Sequence, residues 1–115
     1  MMRIAIATDG DYVAAHLGGC SAFTLVDIDG NKVTAHEVID YPGQQAGFIP
    51  RFLHDRDVRC IMTGNMGTRT VELFREQDID AITGVKGKVI TTIDKIIREL
   101  AAIRVHIATL DTGGG

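Results

Sequence analysis

The second half of the chain alternates two kinds of apolar pattern, and this alternation restricts the fold more than any other feature. Residues 58–63 (VRCIMT) form a short strand-like run, and "GNMG" behind them is a turn. Residues 68–77 (TRTVELFREQ) place Val71 and Phe74 three apart, as on one face of a helix. Residues 78–84 (DIDAITG) read as a second strand, and residues 88–100 return to helical spacing at Val89, Ile93, Ile96 or Ile97, and Leu100. A β–α–β–α order implies parallel strands joined by right-handed crossovers.

The first half supplies an antiparallel partner. Residues 3–8 (RIAIAT), stopped by Asp9 and Gly10, predict a buried strand. Residues 22–28 and 32–40 flank Asp29-Gly30-Asn31, a hairpin signal in which Gly30 and Asn31 tolerate positive φ. Residues 41–47 (YPGQQAG) read as loop. Residues 48–56 (FIPRFLHDR) predict a short helix with Pro50 in its first turn, and with Phe48, Phe52 and Leu53 facing the core.

Joined, the halves predict one α/β domain over residues 1–115, with its core in 3–100 and a frayed tail at 107–115. The expected architecture is three-layer α/β/α. Its mixed five-stranded sheet has spatial order 3-2-1-4-5, with strand 2 antiparallel. Strands 1 and 4 would then be parallel neighbours. Their loops would leave one end of the sheet beside a topological switch point, where open α/β sheets bind ligands.

Composition narrows the function classes. No apolar run approaches the roughly 20 residues of a membrane span, and "MMRIAIATDG" carries no cleavage pattern. A cytoplasmic protein without a membrane partner is expected. The formal charge is −3 and aromatics are 5%, so neither a phosphate-tracking patch nor a base-stacking platform is supplied, and nucleic acid is not an expected partner. Cys20 and Cys60 alone make no disulfide framework, and they fall short of four-thiolate zinc or iron–sulfur sites.

The two switch-point loops carry the chemistry. In "TDGDYVAAHLGGCSAF" the soft ligands His16 and Cys20 sit four apart, with Gly18 and Gly19 between them disfavouring a helix. In "TGNMGTR" Gly64 and Gly67 open the backbone between a strand and a helix. The helix N-terminus adds about half a positive charge, and Arg69 adds a cation. Taken singly, a loop histidine is solvated and a cysteine is a small apolar residue; together, opposite an anion-ready turn, they favour a soft metal or a metal–sulfur species. Arg69 beside Cys20 would lower the thiol pKa. Met66 is a soft contact or an exposed tip. Cys60, mid-strand, belongs to the core, and His36, His54 and His106 to the surface.

"RIAIATDGDYVAAHLGGCSAFTLVDID", "PGQQAGFIPRFL" and "CIMTGNMGTRTVELFREQDIDAITGVKG" resemble the dinitrogenase iron–molybdenum cofactor biosynthesis family, the NifX-like proteins. The likeness runs from Arg3 to about Leu100. It implies a ribonuclease H-like α/β/α fold and a non-enzymatic carrier of iron–sulfur or iron–molybdenum clusters or their precursors, bound reversibly as cargo. Cofactor-assembly proteins are implied as partners, with the chain a monomer or weak homodimer. His16 and Gly18 match the first loop, with Gly19 beside them in the candidate site, and Cys20 falls where part of the family has cysteine. Gly64, Gly67 and Arg69 match the second turn, with Asn65 and Met66 between them. Metal ligation falls to Cys20 and His16. Three positions depart from the pattern. Leu17 replaces the usual phenylalanine, Asn65 stands where glycine is common, and the histidine many relatives carry near Ala46 is missing.

Two other classes compete. A nuclease using metal-bound carboxylates has Asp9 and Asp11 at the end of the first strand, yet the fourth strand ends Ile61-Met62-Thr63-Gly64 with no acid. A small-anion or nucleotide-binding regulatory module would use the 64–69 turn alone and need no thiol. A family member that has lost its cofactor also fits Asn65 and the missing loop histidine.

Overall fold

The structure, a computed structural model, describes residues 1–43 and 48–113, with side chains described through residue 102. It has six strands: β1 (Met2–Asp9), β2 (Tyr12–Val13), β3 (Ala22–Asp29), β4 (Lys32–Asp40), β5 (Val58–Met62) and β6 (Asp80–Ile82). Its helices are α1 (Phe48–His54), α2 (Thr68–Glu76) and α3 (Val89–Gly113). The main path of the sheet runs β4-β3-β1-β5-β6, which is the expected five-strand order. β3 is antiparallel to β1, and β5 is parallel to β1 on its other side.

The added strand is β2, which doubles back onto the end of β1 through Thr8↔Val13 and Asp9↔Tyr12. Two residues leave no periodicity for a sequence reading to find. In the β3–β4 turn Gly30 takes φ +65°, whereas Asn31 keeps a negative φ.

Alternation along β1 sorts the core into two layers. Ala5 and Ala7 face α1 and α2, packing with Phe23, Leu25, Ile61, Ile49, Leu53 and Phe74. Ile4 and Ile6 face α3, with Val26, Ile28, Cys60, Met62 and Val89, and Ile93, Ile96, Ile97 and Leu100 close over them. Helices therefore cover both sheet faces. The small alanines on one side let α1 and α2 approach closely, and burial of these side chains supplies about 1.5–3 kcal/mol for each large one.

Two helix readings need correction. In α1 it is Ile49, with Leu53, that is buried, while Phe48 is 44% exposed and Phe52 is only partly covered. The seven-residue helix starts at Phe48, so its inward face is set one residue later than expected. Helix α3 also continues past Leu100 to Gly113, through most of the segment expected to fray. No helix among the described residues is long and apolar enough to cross a membrane.

Candidate functional site

The loop after β1 is anchored rather than open. Gly10 takes φ +59° to start the reversal into β2. Val13 then donates its N–H to the Gly87 carbonyl (2.9 Å), and Ala14 to that of Ala7 (2.8 Å). Val13, Ala14, Leu17 and Cys20 are all buried. These four anchor the segment to the core. His16 precedes a single 3-10 turn, Leu17–Gly19, closed by Cys20 N–H to the Leu17 carbonyl at 3.2 Å. The two glycines exclude an α-helix, as expected, and permit this tighter turn.

The second loop is bonded to the first. Gly64 donates to the Ala14 carbonyl at 2.9 Å, and Leu17 donates to the Asn65 carbonyl at 3.0 Å. The Thr63 hydroxyl also reaches Ala14, at 3.4 Å. A Cβ on Gly64 would lie 2.6 Å from the Ala15 carbonyl oxygen, so only glycine permits this approach. The chain then enters α2 at Gly67, which caps the helix with no side-chain hydrogen bond. Val71 N–H is bonded to the Gly67 carbonyl. The N–H groups of Thr68, Arg69 and Thr70 belong to the first turn, where no intrahelical partner exists.

Between the loops lies a cavity of about 280 Å³. His16, Gly18, Asn65, Met66 and Gly67, all anticipated from sequence, line it together. Leu17, Tyr41, Ile49 and Thr70 complete the wall and were not assigned to the site. Tyr41 could have been placed from the hairpin register. Ala22↔Asp40 pairing sets the next residue against Ser21, and Tyr41 N–H indeed donates to the Ser21 carbonyl at 3.0 Å. Thr70 and Ile49 carry no local signal, because it is the packing of α2 and α1 that brings them to the cavity. The loop position near Ala46 lies outside the described residues.

Four anticipated residues stand off the cavity wall. Gly19 follows the lining residues Leu17 and Gly18 without joining them. Gly64 sits behind the wall, joining the loops. Arg69 points to solvent, its side chain 75% exposed and 3.6 Å from Glu72. Cys20 is in the core beneath the turn. The expected lowering of its thiol pKa is reversed. Burial, reinforced by the charge of Asp9, pushes it up to about 11, so the thiol is protonated at neutral pH. Cys60 is likewise pushed up to about 11 by burial, with Asp80 adding to it, as suits a core residue. Among the described residues no three His, Cys, Asp or Glu side chains converge as a set able to hold a metal ion.

What converges instead is a set of hydrogen-bonding groups over an apolar floor. His16, Tyr41, Asn65 and Thr70 supply the polar atoms, and Leu17, Ile49 and Met66 the apolar ones. Such a cavity suits a compact ligand with an acceptor-rich surface.

Comparison with known proteins bears on the family and the fold. The sequence profile described as dinitrogenase iron–molybdenum cofactor matches residues 1–102. The protein PH0822, known from its crystal structure, is 33% identical, with a TM-score of 0.81 over 85% of this chain and 90% of its own. The apo form of the orange protein from Desulfovibrio gigas shares the fold, with a TM-score of 0.71 at 18% identity over 87% of this chain and 90% of that one. An uncharacterized protein of Methanocaldococcus jannaschii is 22% identical over 85 residues, 70% of this chain and 72% of its own.

Proposed function

Because the chain belongs to the dinitrogenase iron–molybdenum cofactor family, we propose that it binds a preformed metal–sulfur cofactor in the cavity between the His16 turn and residues 65–67 and hands it on. The cargo would be the iron–molybdenum cofactor, its precursor or another iron–sulfur cluster, and the recipients cofactor-assembly proteins. The observation that carries this reading is the convergence of His16, Met66 and the uncapped N-terminus of α2 on one cavity.

Preformed clusters are polyanions that bring their own sulfides, so the protein need not supply a full ligand set. His16 offers one imidazole nitrogen to a metal atom, and Met66 a thioether contact. The first-turn N–H groups of α2 face negative charge favourably, each such interaction contributing about 0.3–1 kcal/mol. Cys20, protonated and packed in the core, is assigned to the support of the turn rather than to ligation. Few ligands allow release, which a carrier needs and a permanent redox centre does not.

The test is anaerobic transfer of a cluster from a donor to the purified chain, followed by gel filtration with metal and acid-labile sulfide analysis. Co-elution of metal and sulfide in fixed ratio is expected. A second reading is favoured by one observation, the absence of a thiol from the cavity wall among the described residues. On that reading the turn at residues 64–69 holds a small anion or nucleotide as a regulatory module. Tight binding of phosphate or a nucleotide, with no cluster uptake, would select it.

A further inference from the structure

Tyr41 stands out among the cavity residues because both its backbone and its ring are held by the fold. Its backbone is fixed by the hydrogen bond to Ser21. Its ring packs at a tilt of 39° against Phe23, with centroids 5.6 Å apart, and Phe23 is fully buried. Several other hydroxyls of this end are used inside the protein. Thr8 bonds Thr24 and the Ala22 carbonyl, Ser21 bonds the Thr8 carbonyl, and Thr63 bonds the Ala14 carbonyl. The Tyr41 hydroxyl forms no side-chain hydrogen bond with the other described residues, nor do His16, Asn65 and Thr70, which share the cavity with it. Burial holds the phenol above its usual pKa, with nearby Cys20 acting in the same direction, so at neutral pH it remains an O–H donor.

We propose that Tyr41 is a cargo-binding residue that donates its phenolic O–H to an acceptor-only face of an anionic ligand. The proposal rests on the cavity being the cargo site. A bare sulfide or oxo group accepts hydrogen bonds and donates none, so a neutral donor on a rigid ring favours it. A thiolate at the same place would repel it. Because the ring is positioned before the ligand arrives, little side-chain entropy is lost on binding.

The experiment uses tetrathiomolybdate as the sulfide-covered probe and molybdate as an oxyanion of the same charge. Tyr12, the only other tyrosine, lies 54% exposed on β2 and off the cavity, so Tyr12→Phe leaves Tyr41 as the sole ultraviolet reporter. In that background tetrathiomolybdate should bind, perturb the Tyr41 absorption and quench its fluorescence. Tyr41→Phe keeps the ring on Phe23, and so the fold, while weakening tetrathiomolybdate about ten- to hundredfold, as expected for a hydrogen bond to a charged acceptor. The visible band of the bound probe should also shift between parent and Tyr41→Phe, which a merely structural role would not produce. Unchanged affinity and an unchanged band in Tyr41→Phe would overturn the Tyr41 proposal while leaving the cargo site in place. If the parent binds molybdate but not tetrathiomolybdate, the metal–sulfur reading of the site is overturned in favour of the small-anion one. If it binds neither, the site and the Tyr41 proposal fall together.

Discussion

The carbonyl oxygen of Ala15 lies 2.6 Å from the point where a side chain on Gly64 would begin, and that of Ala14 lies 2.9 Å from it. Both walls of the cavity therefore depend on one missing methyl group. Gly64→Ala forces the β1 and β5 loops apart at the place where Gly64 N–H reaches Ala14. Overpacking of this kind costs about 1–3 kcal/mol. The variant should melt several degrees lower by circular dichroism and lose cargo binding more than its stability loss explains. Gly18→Ala, with open space around its Cβ, should keep the parent melting temperature.

At the opposite end of β1 a cross-strand ion pair sets an acid limit on stability. Arg3 grips Asp27 through Nε to Oδ1 (2.6 Å) and Nη2 to Oδ2 (3.0 Å), and spends Nη1 on the Arg56 carbonyl (2.7 Å). This hydrogen bonding to Arg3 holds the Asp27 carboxyl below its ordinary pKa against the opposing effect of burial. The folded pKa lies below the unfolded one, so the stabilisation is fully present above the unfolded carboxylate value, about 4. It is lost as pH falls through the lowered folded value. Asp27→Asn should cost about 1–2 kcal/mol at neutral pH and flatten the acid limb of a melting-temperature profile between pH 5 and 2. An acid limb as steep as the parent's would assign the acid sensitivity to other carboxylates.

Helix α2 ends in a left-handed residue that is not glycine. Asp78 takes φ +58°, its N–H donates to the Arg75 carbonyl, and Ile79 N–H reaches back to Phe74. This is the Schellman pattern, in which glycine is preferred. Asp78→Gly should stabilise the chain by about 0.5 kcal/mol, because removing Cβ relieves the positive-φ cost by slightly more than glycine adds to unfolded-chain entropy. Asp78→Val should destabilise it by more than that. Denaturant midpoints with unchanged m-values check both.

The strand order was legible because β-branched runs, the Asp29-Gly30-Asn31 turn and the β–α alternation each act over a few neighbouring residues. The shared position of His16 and Asn65–Gly67 was legible for the same reason, since topology alone brings the two loops to one end. The partition of the cysteines was not. Whether Cys20 faces the cavity or the core depends on the 3-10 turn at Leu17–Gly19, which puts Leu17 and Cys20 on the inner side. Two glycines permit many turns, and the choice is made by tertiary hydrogen bonds to Asn65 and Thr8. Thr70 and Ile49 were hidden similarly, being ordinary in sequence and brought to the site by packing.

His16 and Cys20, four residues apart in sequence, are separated by the cavity wall, and substitution should separate their roles. His16→Ala removes the one imidazole that reaches the cavity among the described residues, and cluster uptake from a donor should fall strongly with no loss of melting temperature. Cys20→Ala keeps a small apolar residue in the core, so uptake should stay near the parent level, with stability lowered by about 1 kcal/mol for the lost contacts. Cys20→Ser buries a hydroxyl beneath the turn and should cost more stability than Cys20→Ala, again without selective loss of uptake. With both thiol pKa values near 11, neither cysteine should react readily with iodoacetamide at pH 7.5 in the folded chain, and reactivity should climb as pH rises toward 11. Rapid alkylation of Cys20 in native protein, or an uptake loss in Cys20→Ala equal to that in His16→Ala, would return the thiol to the ligand set. It would also mean that the turn opens when cargo binds.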